Sequence, residues 1–177
     1  MAEPVIFVRI GWMETYQGSR TLEHPIGGGK YNEHEIGVEK DNFLPDAYGR
    51  LHGYFAVGKG SHSINLFRVD GRPETKKLDE LSPVLVIFVA THHENGGGVI
   101  VGWYRNAQLY RHEQTGLNGH EFRVEADAGD AVLVPADKRI EFPIPKASPD
   151  VSALGHSNVF YLFDERGQSR SLPWAQR

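Results

Sequence analysis

The sequence predicts a mainly β domain of α+β character, folded as a closed or nearly closed barrel with short flanking helices. Two observations carry this. Apolar runs rich in β-branched residues are short and punctuated by turn signals, Val84 to Ala90 and Val99 to Tyr104 around Gly96-Gly97-Gly98 being the clearest. The chain also holds 20 Gly and 10 Pro in 177 residues, and no long stretch repeats its apolar residues at helical spacing. Seven or eight short strands in one domain must hide their edges, and closure is the usual solution.

Each element is read in chain order. Val5 to Ile10 alternates as a first strand, and Gly11 to Tyr16 follows as a turn or short helix. Residues 17–41, with Gly27-Gly28-Gly29-Lys30-Tyr31-Asn32, are too polar for a core and read as a long functional loop. Leu51 to Val57 and Ser63 to Val69 read as a hairpin across Gly58-Lys59-Gly60. Asp70 to Leu81 is charged and has room for one helical turn. After the central pair, which extends to Arg111, come a strand at His120 to Glu125, a turn at Ala128-Gly129-Asp130 and a strand at Ala131 to Val134. Pro143, Pro145 and Pro149 argue against a regular central strand there. Ser148 to Leu154 suits a brief helix with Ser148 as N-cap, and Asn158 to Phe163 is a last strand. Residues 1–165 then form one domain, and residues 166–177 a polar, frayed tail.

Composition narrows the function. With no Cys, the chain has no disulfide, thiolate metal site or Cys nucleophile, and a cytoplasmic location is the default expectation. No apolar run approaches membrane-spanning length, so no membrane partner is expected. The formal charge of −4, with scattered basic residues, disfavours indiscriminate phosphate-backbone binding. A nucleic-acid role needs a specific pocket and a local basic face.

Catalytic and cofactor patterns are weak. His92-His93-Glu94 lacks the His-Glu-x-x-His spacing that sets two imidazoles on one helical face, and the nine His are dispersed. Gly27-Gly28-Gly29-Lys30 is not a phosphate loop, because the first Gly of the Gly-x-x-x-x-Gly-Lys-Ser/Thr pattern, the Ser/Thr after Lys and a preceding buried strand are missing. Ser157 has no nucleophile elbow. No cofactor or metal is expected, and an enzyme using His92, His93 or Glu94 on a nucleotide or small polar ligand is the lesser alternative.

Rings beside amides are the stronger signal. Trp12, Tyr31, Phe43, Tyr54, Trp103 and Tyr104 supply flat surfaces, and Asn42, Asn65, Asn106 and Asn158 supply paired donors and acceptors. Stacking an unpaired base is worth about 1–3 kcal/mol, so two placed rings can hold a flipped nucleotide. On a regular strand Trp103 and Tyr104 face opposite sides, and Arg105 shares a face with Arg111.

Beyond these residues the chain resembles a known group. Ile10-Gly11-Trp12-Met13 with Tyr16-Gln17-Gly18, Gly27 to Tyr31, Asn42-Phe43, Val101 to Ala107 with Tyr110-Arg111, and Gly155 to Tyr161 resemble the domain associated with bacterial HNH endonucleases. A looser resemblance links the central strand pair to the PUA-like superfamily, which includes the EVE, YTH, ASCH and SRA domains. The resemblance implies a PUA-like barrel that reads a modified, flipped base, in DNA rather than RNA, for a modification-dependent restriction system. Cleavage would then need a separate nuclease domain or partner. With that ligand, the rings and amides above make Trp12, Tyr31, Asn42, Trp103, Tyr104, Asn106, Ser157 and Asn158 the candidates for base binding. Phosphate contacts fall to Lys30, Arg105, Arg111 and Arg139, and an RNA-binding module of the same fold is the alternative.

Overall fold

The computed structural model describes residues 3–27, 37–58, 62–116, 119–170, 172 and 174. Its centre is the pair expected from the apolar runs, β3 (Glu80–Thr91) and β4 (Gly98–Thr115), antiparallel across the glycine turn. The first strand, β1 (Val5–Arg9), lies parallel to β3, with Arg9 opposite Val89. Because these two strands run the same way, the segments leaving their C-terminal ends emerge side by side.

Beyond them, β2 (Arg50–Gly53) pairs with β5 (Glu121–Asp127), β5 with β4, and β8 (Val159–Tyr161) with β1. Two short strands, β6 (Ala131–Leu133) and β7 (Pro143–Ile144), also pair with β4. The result is one mixed eight-stranded sheet in the order β2-β5-β4-β3-β1-β8. Its path does not close, so the fold is mainly β and the sheet is open.

The sheet buries apolar side chains on both faces. One face carries Ile6, Val8, Phe88, Tyr104, Leu109 and Val124 in the main core, which the 11–16 segment, Phe43, Phe55 and Leu66 complete. The other carries Phe7, Val89 and Phe160 under Ile144, Leu154 and Leu172. Irregular pairing in β4 sorts residues between the faces. Val101 is an extra residue between the pairs Phe88 with Gly102 and Val89 with Ile100, a bulge that changes which side the following residues face.

Two expectations about local elements are corrected. Ser63 to Val69 is not a hairpin strand: α2 (Leu66–Asp70) forms there, capped by the Asn65 side chain accepting from Arg68 N at 3.4 Å and ended by Gly71 at φ 81. The cap and the left-handed glycine outweigh the β propensity of the intervening residues. The 148–154 helix is absent, and Ser148 and Val151 instead close a small turn through mutual backbone bonds of 3.1 Å.

The polar tail is docked where it is described. Phe163 bridges to Ser169, and the Trp174 ring lies 5.3 Å from Phe7. Two apolar side chains, Leu172 and Trp174, suffice to anchor an otherwise polar segment. The 17–41 loop carries a short helix α1 (Gly18–Thr21) and a 3-10 turn at Val38–Asp41.

Candidate functional site

The chain leaving β1 supplies Trp12 and Met13, and the chain leaving β3 supplies His92 and His93. Trp12 is held by a backbone bridge to Ile26, with N–H to carbonyl bonds of 2.8 Å in both directions. A cavity of about 380 Å³ opens beside it, bounded by Trp12, Glu14, Thr15, Thr21, Glu23 and His93 among others. The His93 ring centroid is 5.1 Å from that of Trp12 at an interplanar angle of 39°, and His92 lies 4.8 Å away.

The polar side of this cavity is organised by Glu23. Its carboxylate accepts from Thr15 N at 2.9 Å, from Thr15 Oγ1 at 2.6 Å and from Glu14 N. Two carboxylate oxygens offer about four acceptor sites, so one remains for a ligand donor. His92 takes no such part, because its Nδ1 accepts from Glu94 N and Asn95 N at 3.3 Å and shapes the turn.

Behind Trp12 sits Arg139, whose side chain is fully buried. Its guanidinium lies 4.8 Å over the Trp12 ring and 5.5 Å over Tyr16. It donates to the carbonyls of Val134 at 2.9 Å, Glu14 at 2.6 Å and Met13. Burial pushes its pKa down and that of the Tyr16 phenol up. The guanidinium is thus committed to the floor of the site and does not reach solvent phosphates.

Of the base and phosphate contacts read from sequence, Trp12 alone borders this cavity, together with His93 from the alternative enzyme reading. Tyr104 is in the core, 4.8 Å from Phe88 and 5.4 Å from Phe43, and its hydroxyl donates to Asn42 O. Asn42 is buried and clamps Tyr54, accepting from its N–H at 2.8 Å and donating to its carbonyl at 2.9 Å. Both satisfy internal backbone groups, which a solvent-blind reading of rings and amides does not distinguish from a ligand site.

Trp103 is half-buried opposite Ile87 and Val132, on the face away from Tyr104. Asn106 adopts φ 49 within a second irregularity of β4, exposed, with its amide donating to Asp130 at 3.2 Å. That irregularity breaks the shared face assigned to Arg105 and Arg111. Arg105 is exposed, whereas Arg111 donates to the carbonyls of Leu78, Thr75 and Lys76 at 2.7, 3.2 and 2.9 Å and terminates the 3-10 turn at Pro73–Lys77. Lys30 and Tyr31 lie outside the described residues.

Ser157 and Asn158 stand at another place, flanking a second cavity of about 380 Å³ whose lining includes Arg9, Thr91, Lys146 and His156. The Asn158 carbonyl accepts from Arg9 N at 2.7 Å. Sequence reading missed Arg9 and Glu23, and named His93 only for catalysis. Only the parallel pairing of β1 with β3 brings their segments together.

Among the described residues no group of three or more His, Cys, Asp or Glu is placed to hold a metal ion. No helix among them is long and apolar enough to cross a membrane. No family model, no curated protein and no solved structure matches the chain.

Proposed function

We propose that this domain reads nucleic acid by taking one flipped, modified base, in DNA rather than RNA, into the cavity beside Trp12. The open sheet would correspond to a PUA-like barrel left unsealed between β2 and β8. The observation that carries the reading is a flat ring surface, the exposed His93 packed 5.1 Å from the buried Trp12, beside the hydrogen-bonding side of Glu23, Thr15 and Thr21. A base extracted from a duplex needs both kinds of contact, ring faces to replace lost stacking and polar groups for its edge. A carboxylate suits an exocyclic amino group, as in cytosine or adenine.

In this reading the chain recognises and does not cut, serving as the specificity module of a modification-dependent restriction system whose nuclease is separate. The test is a binding screen of duplex DNA and single-stranded RNA carrying matched modified and unmodified bases. Preferential binding of one modified duplex supports the reading, and its loss in Glu23→Gln supports the cavity. Preference for the RNA series replaces DNA with RNA, and binding of none ends the proposal.

A further inference from the structure

We propose that the second cavity, at the C-terminal end of β1, binds a phosphate group through Arg9, Thr91, Lys146 and His156. In a nucleic-acid complex this would be a backbone phosphate of the flipped nucleotide, a step that rests on the reading above; the anion site itself does not.

Arg9 is the centre of the case. Its guanidinium donates from Nη1 to Thr91 Oγ1 at 3.1 Å, from Nε to the Ser157 carbonyl at 3.3 Å and from Nη2 to the Gly155 carbonyl. All three partners are neutral, and Arg9 makes no ion pair among the described residues. Three of its five N–H groups are spent, leaving one on each terminal nitrogen, the fork that an oxyanion accepts.

Burial without a counter-charge has a cost, and it lowers the pKa of Arg9. An anion in the cavity would offset that cost. The remaining lining agrees: Lys146 and His156 are exposed at the rim, Gly96 and Gly98 leave room for a ligand, and no described lining residue is acidic. The cavity beside Trp12, by contrast, is bordered by Glu14 and Glu23.

The two cavities flank one turn. Residues 92–97 are closed by His92 N donating to Gly97 O at 2.8 Å and Gly96 N donating to His92 O at 2.9 Å. His93 borders the first cavity and Gly96 the second. An uncharged base and its phosphate ask for this division, since phosphate contacts position a strand while base contacts specify it.

The experiment titrates the intact protein with inorganic phosphate against chloride at equal ionic strength, following backbone amide shifts. Phosphate is expected to move Thr91, Gly96, Gly98 and Gly155, with affinity falling about tenfold in Lys146→Gln/His156→Ala and more in Arg9→Gln. The first variant changes exposed residues only, so it carries the test if Arg9→Gln fails to fold. An equal response in wild type and the exposed variant, or shifts confined to other surfaces, overturns the anion site. A modified duplex forms the second arm: the same variants should weaken its binding and flatten its salt dependence. Phosphate binding without any oligonucleotide binding keeps the anion site and ends the base-reading proposal. Oligonucleotide binding indifferent to all three substitutions overturns the placement of the backbone phosphate.

Discussion

The Arg139 guanidinium stacks 4.8 Å over the Trp12 ring while its nitrogens bond the carbonyls of Met13, Glu14 and Val134. One side chain therefore joins the segment after β1 to the segment after β6 and backs the ring that walls the candidate base site. Removing it leaves three carbonyls without a donor and the ring without its cation. Arg139→Met is expected to cost roughly 3–5 kcal/mol, read from the urea unfolding midpoint. A loss below about 1 kcal/mol would show that water replaces the guanidinium there.

The placement of the rings separates two tryptophans. His93 borders the cavity beside Trp12, whereas Trp103 sits opposite Ile87 on the other face of the sheet from Tyr104. His93→Ala should reduce discrimination between modified and unmodified oligonucleotides about tenfold, and Trp103→Ala should leave it unchanged. The reverse result in competition binding would move the base pocket to the Trp103 face.

Two glycines of the same hairpin should respond oppositely. A Cβ on Gly102 would lie 2.4 Å from Val132 O and 2.7 Å from Phe43 Cζ, and backbone cannot yield as a side chain can. Gly102→Ala is expected to destabilise by about 1–3 kcal/mol. Gly97 has no atom within 4 Å of such a Cβ and no positive φ, so Gly97→Ala should be neutral or stabilising by up to about 1 kcal/mol. Comparing both thermal midpoints checks the packing of β6 and Phe43 on β4.

Alkaline pH should unfold the protein through its phenols. Burial holds Tyr16 and Tyr104 protonated far above the usual range, and burial together with the hydrogen bond to Glu125 does the same for Tyr110. The folded chain then keeps protons that the unfolded chain loses above about pH 10. The stabilisation is present below that pH and falls as pH rises, by up to about 1.4 kcal/mol per unit for each of the two core phenols, Tyr16 and Tyr104, and by less for the partly exposed Tyr110. Phenolate absorbance should show these groups ionising together with loss of structure; independent ionisation in a folded chain would contradict their burial.

Much of the fold was legible because strand signals are local. The alternation of Val5 to Ile10, the runs around Gly96-Gly97-Gly98 and the turn at 128–130 all reappear at or near their expected places. The α2 helix was not, since Leu66 to Val69 carries strand-like residues and only the Asn65 cap and Gly71 mark it. The candidate site was less legible still. Asn42, Tyr104, Arg111 and Arg139 have the chemistry of ligand contacts, but their partners are backbone groups far away in sequence.

By itself, the sequence determined a mainly β chain, its central hairpin and the absence of recognisable catalytic spacing, because period, turn chemistry and ligand spacing are written along the chain. The tertiary structure alone decided which rings and cations remain available. The bulge at Val101 in β4 decides that Tyr104 and not Trp103 enters the main core, and internal carbonyls consume Arg111 and Arg139. The parallel register of β1 with β3 then gathers Trp12, His93, Arg9 and Thr91 at one end of the sheet, a long-range pairing that no local window encodes.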